Sequence, residues 1–409
     1  MKLLNVKSVE ETIKIIKSNF HCLEKTEEIT LSDSLYRVLA QDIYSPEMLP
    51  PFRRSSVDGF AVQASDTYGA SESLPAFLHL NGEIKMGKPA GSIKHMETQY
   101  IPTGGMLPDE ADAVVMVEYT EKLADQVMLY RQVATGENVI GSGDDVNIGD
   151  LVLPKGIILK EGELGSVAAL GINTVSVYQK PIVGIISTGN ELVSSEVKKI
   201  ELGQIRDINS ITLASIAKKL GAQVIFGGIA IDNYESIFEK ANSLLPKVDI
   251  LLLSGGSSVG TLDFTAQVLD KLSDGNILVE GIAIKPGKPT LLAKKGQKAI
   301  WGLPGHPVSA MMIFNYFGEI LMDCLLGVTE LKGRKTCKAL LTRNIASSAG
   351  RTDWVRVRVE KGENGFRATP VFGKSGLITT LVGTQGYIEI PPNKEGLESG
   401  SIVEVIFWM

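Results

Sequence analysis

Apolar residues recur at helical spacing near the start of the chain, at Ile13, Ile16, Phe20 and Leu23. They follow a segment in which Ser8 and Glu11 match a capping box. The pattern predicts a helix that begins just after Ser8. A second, shorter helical pattern lies near 162–171 and ends at Gly171, a residue typical of helix C-termini.

The pattern changes between Tyr44 and Tyr130, where short apolar runs are interrupted by proline, glycine and aspartate. Such interruptions are typical of strands joined by turns, so this region predicts a small β-rich domain. The last 80 or so residues return to the same pattern and end in the apolar run 402–408. They predict a small β-barrel or sandwich.

From Pro181 onwards the pattern alternates between strand and helix. The uninterrupted apolar run 182–186 is typical of a strand that is buried on both faces. Further strands are predicted near 224–228, 249–253 and 299–301, and helices near 210–220, 234–245, 264–272 and after Pro307. This alternation predicts a doubly wound α/β domain.

Length and charge narrow the classes of function. A chain of 409 residues is too long for one hydrophobic core, so several domains are expected. The formal net charge of -6 argues against nucleic acid as a partner, which requires a basic surface. An anionic substrate would therefore need a local basic cluster.

Neither a leader peptide nor a membrane span is expected. The first 20 residues lack the basic and apolar succession of a signal peptide. The most apolar stretch, 308–328, carries Asn315, Glu319 and Asp323 at spacings of four, which predicts a buried or amphipathic helix. The three cysteines are few and far apart, which favours a reducing cytoplasm and gives no zinc-binding pattern.

Three glycine-rich turns follow strands of the predicted α/β sheet, at 187–191, 254–260 and 302–309. Ligands of open α/β sheets bind beyond the carboxyl ends of the strands, and glycines there let backbone N–H groups approach anions. One such turn alone could be an ordinary loop, but three in one sheet predict a ligand site. None matches a P-loop.

Carboxylates and lysines lie beside these turns. Glu191, Asp232 and Asp263 are placed to hold Mg²⁺ together with phosphate oxygens, although each could be a solvated cap. Lys285 and Lys288 lie in the stiff turn 285–289 and could converge on one small dianion, unless the turn is a surface hairpin. No histidine pair has metal-ligand spacing, and His306 reads as a turn residue.

Seven segments, taken in order, resemble the MoeA family of molybdopterin molybdenumtransferases, which includes the gephyrin E domain. They are SSVDGFAV at 55–62, IPTG at 101–104, STGNEL at 187–192, SGGSSVG at 254–260 with Asp263, GIAIKPGKP at 281–289, GLPGHPVSA at 302–310 and GR at 350–351.

The resemblance implies a multidomain α/β plus β fold. Its parts are an elongated N-terminal linking domain (1–45 and 140–178), an inserted β domain (46–139), a doubly wound MoaB/MogA-like α/β domain (179–328) and a C-terminal β-barrel (329–409). It also implies a homodimer in which the inserted domain of one subunit completes the cleft of the other.

The implied reaction takes adenylated molybdopterin and molybdate, cleaves the adenylate with Mg²⁺, and releases AMP and the metallated cofactor. A MogA/MoaB-like adenylyltransferase is an implied partner. Tungstate has nearly the same size and charge as molybdate, so a tungsten-inserting enzyme fits equally well.

The resemblance also assigns roles to residues. Molybdate would be bound at the matched positions Lys285, Lys288, Pro289, Ser309, Arg351 and Ser375. Mg²⁺ would lie on Asp232 and Asp263, with Glu191 serving the active site, and Asp58 and Thr103 would reach the partner's cleft. The turn containing Gly255, Gly256 and Ser257 would bind the substrate phosphates.

Two positions depart from the family pattern. Asn190 stands where an aspartate is usual, which removes one negative charge near the expected metal, and His306 stands where many members have asparagine. Two other classes of function compete with the transferase. One is a non-catalytic scaffold like gephyrin, and the other is a hydrolase or nucleotide enzyme that shares only the α/β domain.

Overall fold

The computed structural model describes residues 6–255, 261–330, 333–363 and 365–408, with backbone alone at 261–263. The first helix, α1, spans Val9–Asn19. Ser8 Oγ accepts from the Glu11 N–H at 3.0 Å, and the Ser8 N–H donates to Glu11 Oε2 at 2.7 Å. The predicted capping box is therefore confirmed. Strands β1 (Thr26–Thr30) and β2 (Ile43–Tyr44) follow, and both find their partners much later in the chain.

A six-stranded mixed sheet occupies the region predicted to be β-rich. The strands of this region are β3 (Arg54–Ser55), β4 (Gly59–Val62), β5 (Ala76–Glu83), β6 (Glu97–Ile101), β7 (Ala113–Met116), β8 (Thr120–Leu123), β9 (Gln126–Leu129) and β10 (Val139–Ile140). The order in the sheet is β7-β4-β6-β5-β9-β8, and its interior contains fully buried Leu78, Val127 and Leu129.

The chain then returns to the strands at its start. Strand β11 (Leu151–Leu153) pairs with β2, and β12 (Thr174–Tyr178) pairs with β1, with helix α2 (Glu161–Ala169) between them. Both pairings are antiparallel. The β-rich sheet is thus an insertion within a unit built from two separate stretches of chain. The exact residue limits of that unit stay a prediction.

The strands of the α/β region are β13 (Ile182–Thr188), β14 (Leu192–Val193), β15 (Ile205–Arg206), β16 (Gln223–Ala230), β17 (Ile250–Gly255), β18 (Ile277–Glu280), β19 (Ile284–Lys285), β20 (Leu291–Lys295) and β21 (Lys298–Leu303). Six of them form a second sheet, ordered β16-β13-β17-β21-β20-β18, while β14, β15 and β19 lie outside it. The first four strands in that order are parallel, and β20 and β18 run antiparallel at one edge.

Helices cover both faces of this sheet, which confirms the doubly wound prediction. One face packs against α1, α3 (Asn209–Lys219) and α6 (Pro307–Leu325), and the other against α4 (Tyr234–Leu244) and α5 (Thr261–Leu272). Among the described helices, α6 alone is long and apolar enough to cross a membrane, and 67% of its apolar window is buried in the protein.

The C-terminal strands are β22 (Thr336–Leu341), β23 (Ile345–Ala346), β24 (Thr352–Gly362), β25 (Gly365–Pro370), β26 (Gly386–Ile390), β27 (Gly396–Leu397) and β28 (Ile402–Phe407). Five of them close into a barrel in the order β24-β25-β22-β28-β26, because β26 pairs with β24. The predicted barrel is confirmed. Strand β19 of the α/β region also pairs with β24, so the barrel is joined to the edge of the α/β region by backbone hydrogen bonds.

Candidate active site

The carboxyl ends of the parallel strands open onto a cavity of about 550 Å³, which we call the strand-end cleft. Its described lining includes the first and third glycine-rich turns and the end of β17. The lining residues are Thr188, Gly189, Glu191, Leu192, Ile205, Arg206, Asp207, Ile208, Asn209, Asp232, Ser254, Gly255, Gly305, His306, Pro307 and Gly376. The turns therefore meet at one edge of the sheet, as predicted from the sequence.

Gly255 brings the first and second turns together. Its φ is +150°, and a Cβ atom there would lie 2.1 Å from Thr188 Oγ1. Only glycine permits such a close approach of the two turns. Gly256 and Ser257, also predicted to bind phosphate, lie outside the described residues.

Asn209 connects two of the turns and was missed in the sequence. Its side-chain amide donates to Ser254 Oγ at 2.9 Å and to the Gly305 carbonyl at 2.8 Å. The neighbouring Asp207 Oδ1 accepts from the Ser210 N–H at 3.1 Å, as a helix-capping side chain does. The sequence Asp207-Ile208-Asn209 ahead of a helical pattern was a signal that could have identified both residues.

Several buried polar atoms at this edge have no hydrogen-bond partner among the described residues. They are Ser187 Oγ, Thr188 Oγ1, Asn209 Oδ1, Asp232 Oδ1 and Thr265 Oγ1. Buried polar groups are nearly always paired in folded proteins. Three of these residues, Thr188, Asn209 and Asp232, line the strand-end cleft, where a polar ligand or a metal ion would satisfy them.

Two of the predicted metal ligands lie close together. Burial raises the pKa of Asp232, and the nearby Glu191 carboxylate raises it further. The Asp232 backbone N–H donates to Asn190 Oδ1 at 3.0 Å. Asn190, although it departs from the family pattern, therefore still connects the first turn to Asp232. Asp263 lies at the start of α5, and its side chain is outside the described part of the chain. Within the described residues, no three acidic, histidine or cysteine side chains form a metal-binding group.

A second cavity, of about 240 Å³, lies between the lysine turn, the start of α6 and the barrel; we call it the barrel cavity. It is lined by Lys285, Pro286, Val308, Ile345, Ala346, Asp353, Trp354, Val355, Arg356, Val371, Phe372, Gly373, Lys374 and Ser375. Three cationic side chains and one carboxylate line it, a surplus of two positive charges.

Lys285 is held in place by the barrel. Its Nζ lies 2.8 Å from Oδ2 of Asp353, whose side chain is only 4% exposed, and Ser347 Oγ donates to the same oxygen at 3.1 Å. Lys285 and Asp353 are also backbone partners between β19 and β24. Nothing in the sequence indicated this pair, because the two residues are far apart along the chain.

The remaining predicted molybdate ligands do not all meet. Ser375 lines the barrel cavity, whereas Lys288, Pro289, Ser309 and Arg351 are not among its lining residues. Lys288 is exposed, and Ser309 is buried in the first turn of α6. The lysine turn packs closely on that helix, since a Cβ at Gly287 would lie 2.6 Å from Ile313.

The two cavities adjoin where the start of α6 meets the segment after β25. Ser375 Oγ and His306 Nδ1 lie 2.8 Å apart, with Ser375 lining the barrel cavity and His306 lining the strand-end cleft. The Val308 N–H donates to the Ser375 carbonyl at 3.2 Å. The segment after β25 therefore separates the two cavities and contacts both.

Asp58 and Thr103 are paired with each other in the inserted region, away from both cavities. Asp58 Oδ1 accepts from the Thr103 N–H at 2.7 Å and from its hydroxyl at 3.0 Å. Both residues are exposed, and neither lines a cavity described above.

Comparisons with known proteins follow the same division of the chain. Residues 7–171 match the model "MoeA N-terminal region (domain I and II)", 184–323 match "Probable molybdopterin binding domain", and 338–408 match "MoeA C-terminal region (domain IV)".

Whole-length relatives agree with these matches. Molybdopterin molybdenumtransferase of Bacillus subtilis is 33% identical over 97% of this chain and 93% of its own length. Its counterpart in Haemophilus influenzae is 34% identical over 93% of each. A solved structure, titled as a molybdopterin biosynthesis MoeA protein from Pyrococcus horikosii, is 35% identical, covers 99% of this chain and 100% of its own, and has a TM-score of 0.81. The chain therefore belongs to the MoeA family.

Proposed function

We propose that the chain is a molybdopterin molybdenumtransferase, which takes adenylated molybdopterin and molybdate, cleaves the adenylate and releases AMP with the metallated cofactor. The observation that supports this best is the pair of adjoining cavities with opposite charge, which meet at Ser375 and His306. A reaction between an oxyanion and a phosphorylated organic molecule needs a site for each of them, and the two sites must adjoin.

The barrel cavity suits molybdate. A hydrated tetrahedral dianion leaves water only where converging positive charges replace its hydration, and this cavity has a surplus of two positive charges. Lys285 is oriented by the buried Asp353, so little side-chain freedom is lost when it contacts the substrate. The Ser375 hydroxyl adds a neutral hydrogen-bonding group at the end nearest the cleft.

The strand-end cleft suits the adenylated pterin. Its volume of about 550 Å³ is in the range of small-molecule sites, and it lies where α/β sheets bind ligands. The unpaired Thr188 hydroxyl would donate or accept a hydrogen bond, and the unpaired side-chain oxygen of Asn209 would accept one, from the substrate. His306, at the border, would orient groups that pass between the two cavities.

The charge of the cleft makes a cation necessary. Three carboxylates (Glu191, Asp207, Asp232) and one arginine (Arg206) line its described part, a surplus of two negative charges, which repels phosphate. The unpaired Asp232 Oδ1 and the neighbouring Glu191 fit Mg²⁺, with Asp263 as the third predicted ligand. When bound there, Mg²⁺ would neutralise phosphate oxygens and withdraw electron density from phosphorus.

We also propose that the protein works as a homodimer in the cytoplasm, supplied by a MogA/MoaB-like adenylyltransferase. Asp58 and Thr103 are exposed and line neither described cavity, so a role in the reaction requires them to reach a second subunit. Mixing inactive Asp58→Ala subunits with inactive Asp232→Ala subunits should restore part of the activity. Failure to restore any activity, although mixed dimers form, would exclude a shared site.

The decisive experiment measures AMP released from adenylated molybdopterin with Mg²⁺, with and without molybdate. Release that depends on molybdate is expected, and a parallel series with tungstate tests which metal is preferred. Binding of the adenylated pterin with no AMP release in either series would contradict the transferase and favour a scaffold.

A further inference from the structure

The inserted region carries a second turn with two lysines, which lines neither described cavity. Lys85-Met86-Gly87-Lys88 repeats the K-x-G-K pattern of 285–288, and we call it the KMGK turn. The Lys88 N–H donates to the Lys85 carbonyl at 3.2 Å, and Gly87 has a φ of +69°, as glycine does in a β-turn. Both lysines are exposed, and the described ion pairs of the inserted region are formed by other side chains.

The KMGK turn lies beside the paired Asp58 and Thr103. Gly104 follows Thr103 directly, and a Cβ atom at Gly104 would lie 3.5 Å from Met86 Cε. The two lysines outnumber Asp58, so this exposed surface has a surplus of positive charge. If Asp58 and Thr103 reach the cleft of a second subunit, the turn reaches it with them.

The strand-end cleft lacks the cations that a phosphate needs. Arg206 is the one arginine or lysine in its described lining. Its Nε donates to the Val197 carbonyl at 2.8 Å and its Nη2 to the Lys198 carbonyl at 2.7 Å, so the guanidinium is already engaged by the backbone. One Mg²⁺ would offset the surplus of two negative charges in the lining and leave the charge of the substrate's own phosphates unbalanced.

We propose that the KMGK turn enters the strand-end cleft of a second copy of this chain, where Lys85 and Lys88 bind the phosphates of the adenylated substrate. This inference rests on the proposed function. The turn and the cleft have opposite charge, and the cleft is short of cations without the second copy. The competing interpretation is an ordinary surface turn whose lysines are solvated.

The first measurement is the adenylated-pterin concentration that gives half-maximal AMP release. Lys85→Met combined with Lys88→Met should raise it about tenfold or more, the effect of losing charge-assisted contacts. Arginine at both positions keeps the charge, and a change of less than about threefold is expected. Lys122→Met removes an exposed lysine from the edge strand β8 of the same sheet and should change nothing.

Two results of this measurement would overturn the proposal. One is a double methionine variant that matches the wild type, because the lysines are then merely solvated. The other is a rise confined to the molybdate requirement, because the turn would then serve the smaller oxyanion.

Mixed dimers show whether the turn acts between subunits. Subunits with Lys85→Met and Lys88→Met are paired with Asp232→Ala subunits and isolated by two different affinity tags. The cleft with an intact Asp232 then faces an unaltered turn, so the half-maximal concentration should equal that of the wild type. When all three substitutions lie in one subunit and the other is wild type, the intact cleft faces the altered turn, and about a tenfold rise is expected. The reverse pattern would place the turn in the cleft of its own subunit and overturn the proposal.

The outcomes also distinguish this inference from the proposed function. If the wild type shows molybdate-dependent AMP release and the lysine variants match it, only the inference fails. If the wild type releases no AMP, the proposed function fails, and calorimetric binding of AMP with Mg²⁺ still tests the turn. The double methionine variant should bind AMP about tenfold more weakly at an unchanged Tm. Equal affinity would show that the lysines do not contact phosphate.

Discussion

The barrel cavity and the strand-end cleft adjoin each other, yet their charges are opposite and are held in different ways. In the barrel cavity, Lys285 is fixed by its ion pair with Asp353 and by the backbone pairing of these two residues. The carboxylates of the cleft lie on turns, where Asp232 has an unpaired buried oxygen. We propose that the first cavity binds an anion and that the second is completed by a cation.

This difference indicates how one protein could bind two anionic substrates without mutual repulsion. One substrate would meet fixed positive charge, and the other would arrive with a divalent metal that reverses the local field. Each of the following predictions tests one side of that contrast.

The largest effect is expected for Lys285→Met. This change removes a cation from the barrel cavity and leaves the buried Asp353 carboxylate without its partner, so the surplus of positive charge in the lining falls from two to one and an unpaired carboxylate is left in the cavity. We expect the molybdate concentration for half-maximal AMP release to rise about a hundredfold or more. The measurement is a molybdate titration of AMP release at saturating Mg²⁺.

Lys288→Met is the matched control for that experiment. Lys288 lies on the same turn and is also exposed, but unlike Lys285 it does not line the cavity. Its loss should raise the molybdate requirement less than about threefold, as for other exposed charges. If the two variants have equal effects, both lysines contact molybdate, as the sequence predicts.

Asp232→Asn should affect the other cavity. The substitution keeps the shape of the side chain but removes one charge from the expected metal site, so about tenfold more Mg²⁺ should be needed for AMP release. A readout independent of activity is thermal unfolding. Added Mg²⁺ should raise the Tm of the wild type and raise it much less in the variant. An identical Mg²⁺ response would remove Asp232 from the metal site.

Ser375→Ala tests the contact between the two cavities. It removes the hydrogen bond to His306 Nδ1 and leaves the charges of both cavities unchanged. We expect roughly a threefold loss of AMP release at saturating molybdate, the effect of one neutral hydrogen bond. If binding of the adenylated pterin alone weakens by the same factor in the variant, the hydroxyl acts on the cleft and not on transfer between sites.

The smallest effect concerns pH. The pKa of Asp232 in the folded protein lies above its ordinary value of 3.8, so the folded state binds the proton more tightly than the unfolded state does. The free energy of unfolding contributed by this group is therefore highest at acid pH and decreases as pH rises from 3.8 through the folded-state pKa. Asp232→Asn should remove this slope in denaturant titrations without Mg²⁺; a steeper slope in the variant would contradict it.

The sequence was most informative where local chemistry decides the structure. The capping box at Ser8, the buried strand at 182–186 and the glycine turns at 187–191 and 302–309 depend on neighbouring residues, and each element formed as predicted. Two antiparallel strands at the edge of the α/β sheet, β18 and β20, were missed because the alternating pattern predicts only parallel strands.

The sites were predicted less completely, because their chemistry depends on pairs that are distant in the sequence. Lys285 was identified from its turn, but its partner Asp353 lies 68 positions later and follows only from the pairing of β19 with β24. In the sequence, nothing distinguishes Arg356 from the other polar residues along its strand. Its burial is decided by the segment 371–381, which folds over it.

The pairing of β19 with the barrel has a consequence for the very start of the described chain. Lys7 donates its N–H to the Gly281 carbonyl and accepts from the Ala283 N–H, while the Ala283 carbonyl accepts from the Thr352 N–H. Backbone hydrogen bonds thus join three stretches that are distant in the sequence, at Lys7, at 281–283 and at Thr352, beside the lysine turn. Trimming the chain through Lys7 would leave the Ala283 amide without its acceptor, and its hydrogen exchange should accelerate. A change at Lys7 would in this way loosen the wall of the barrel cavity.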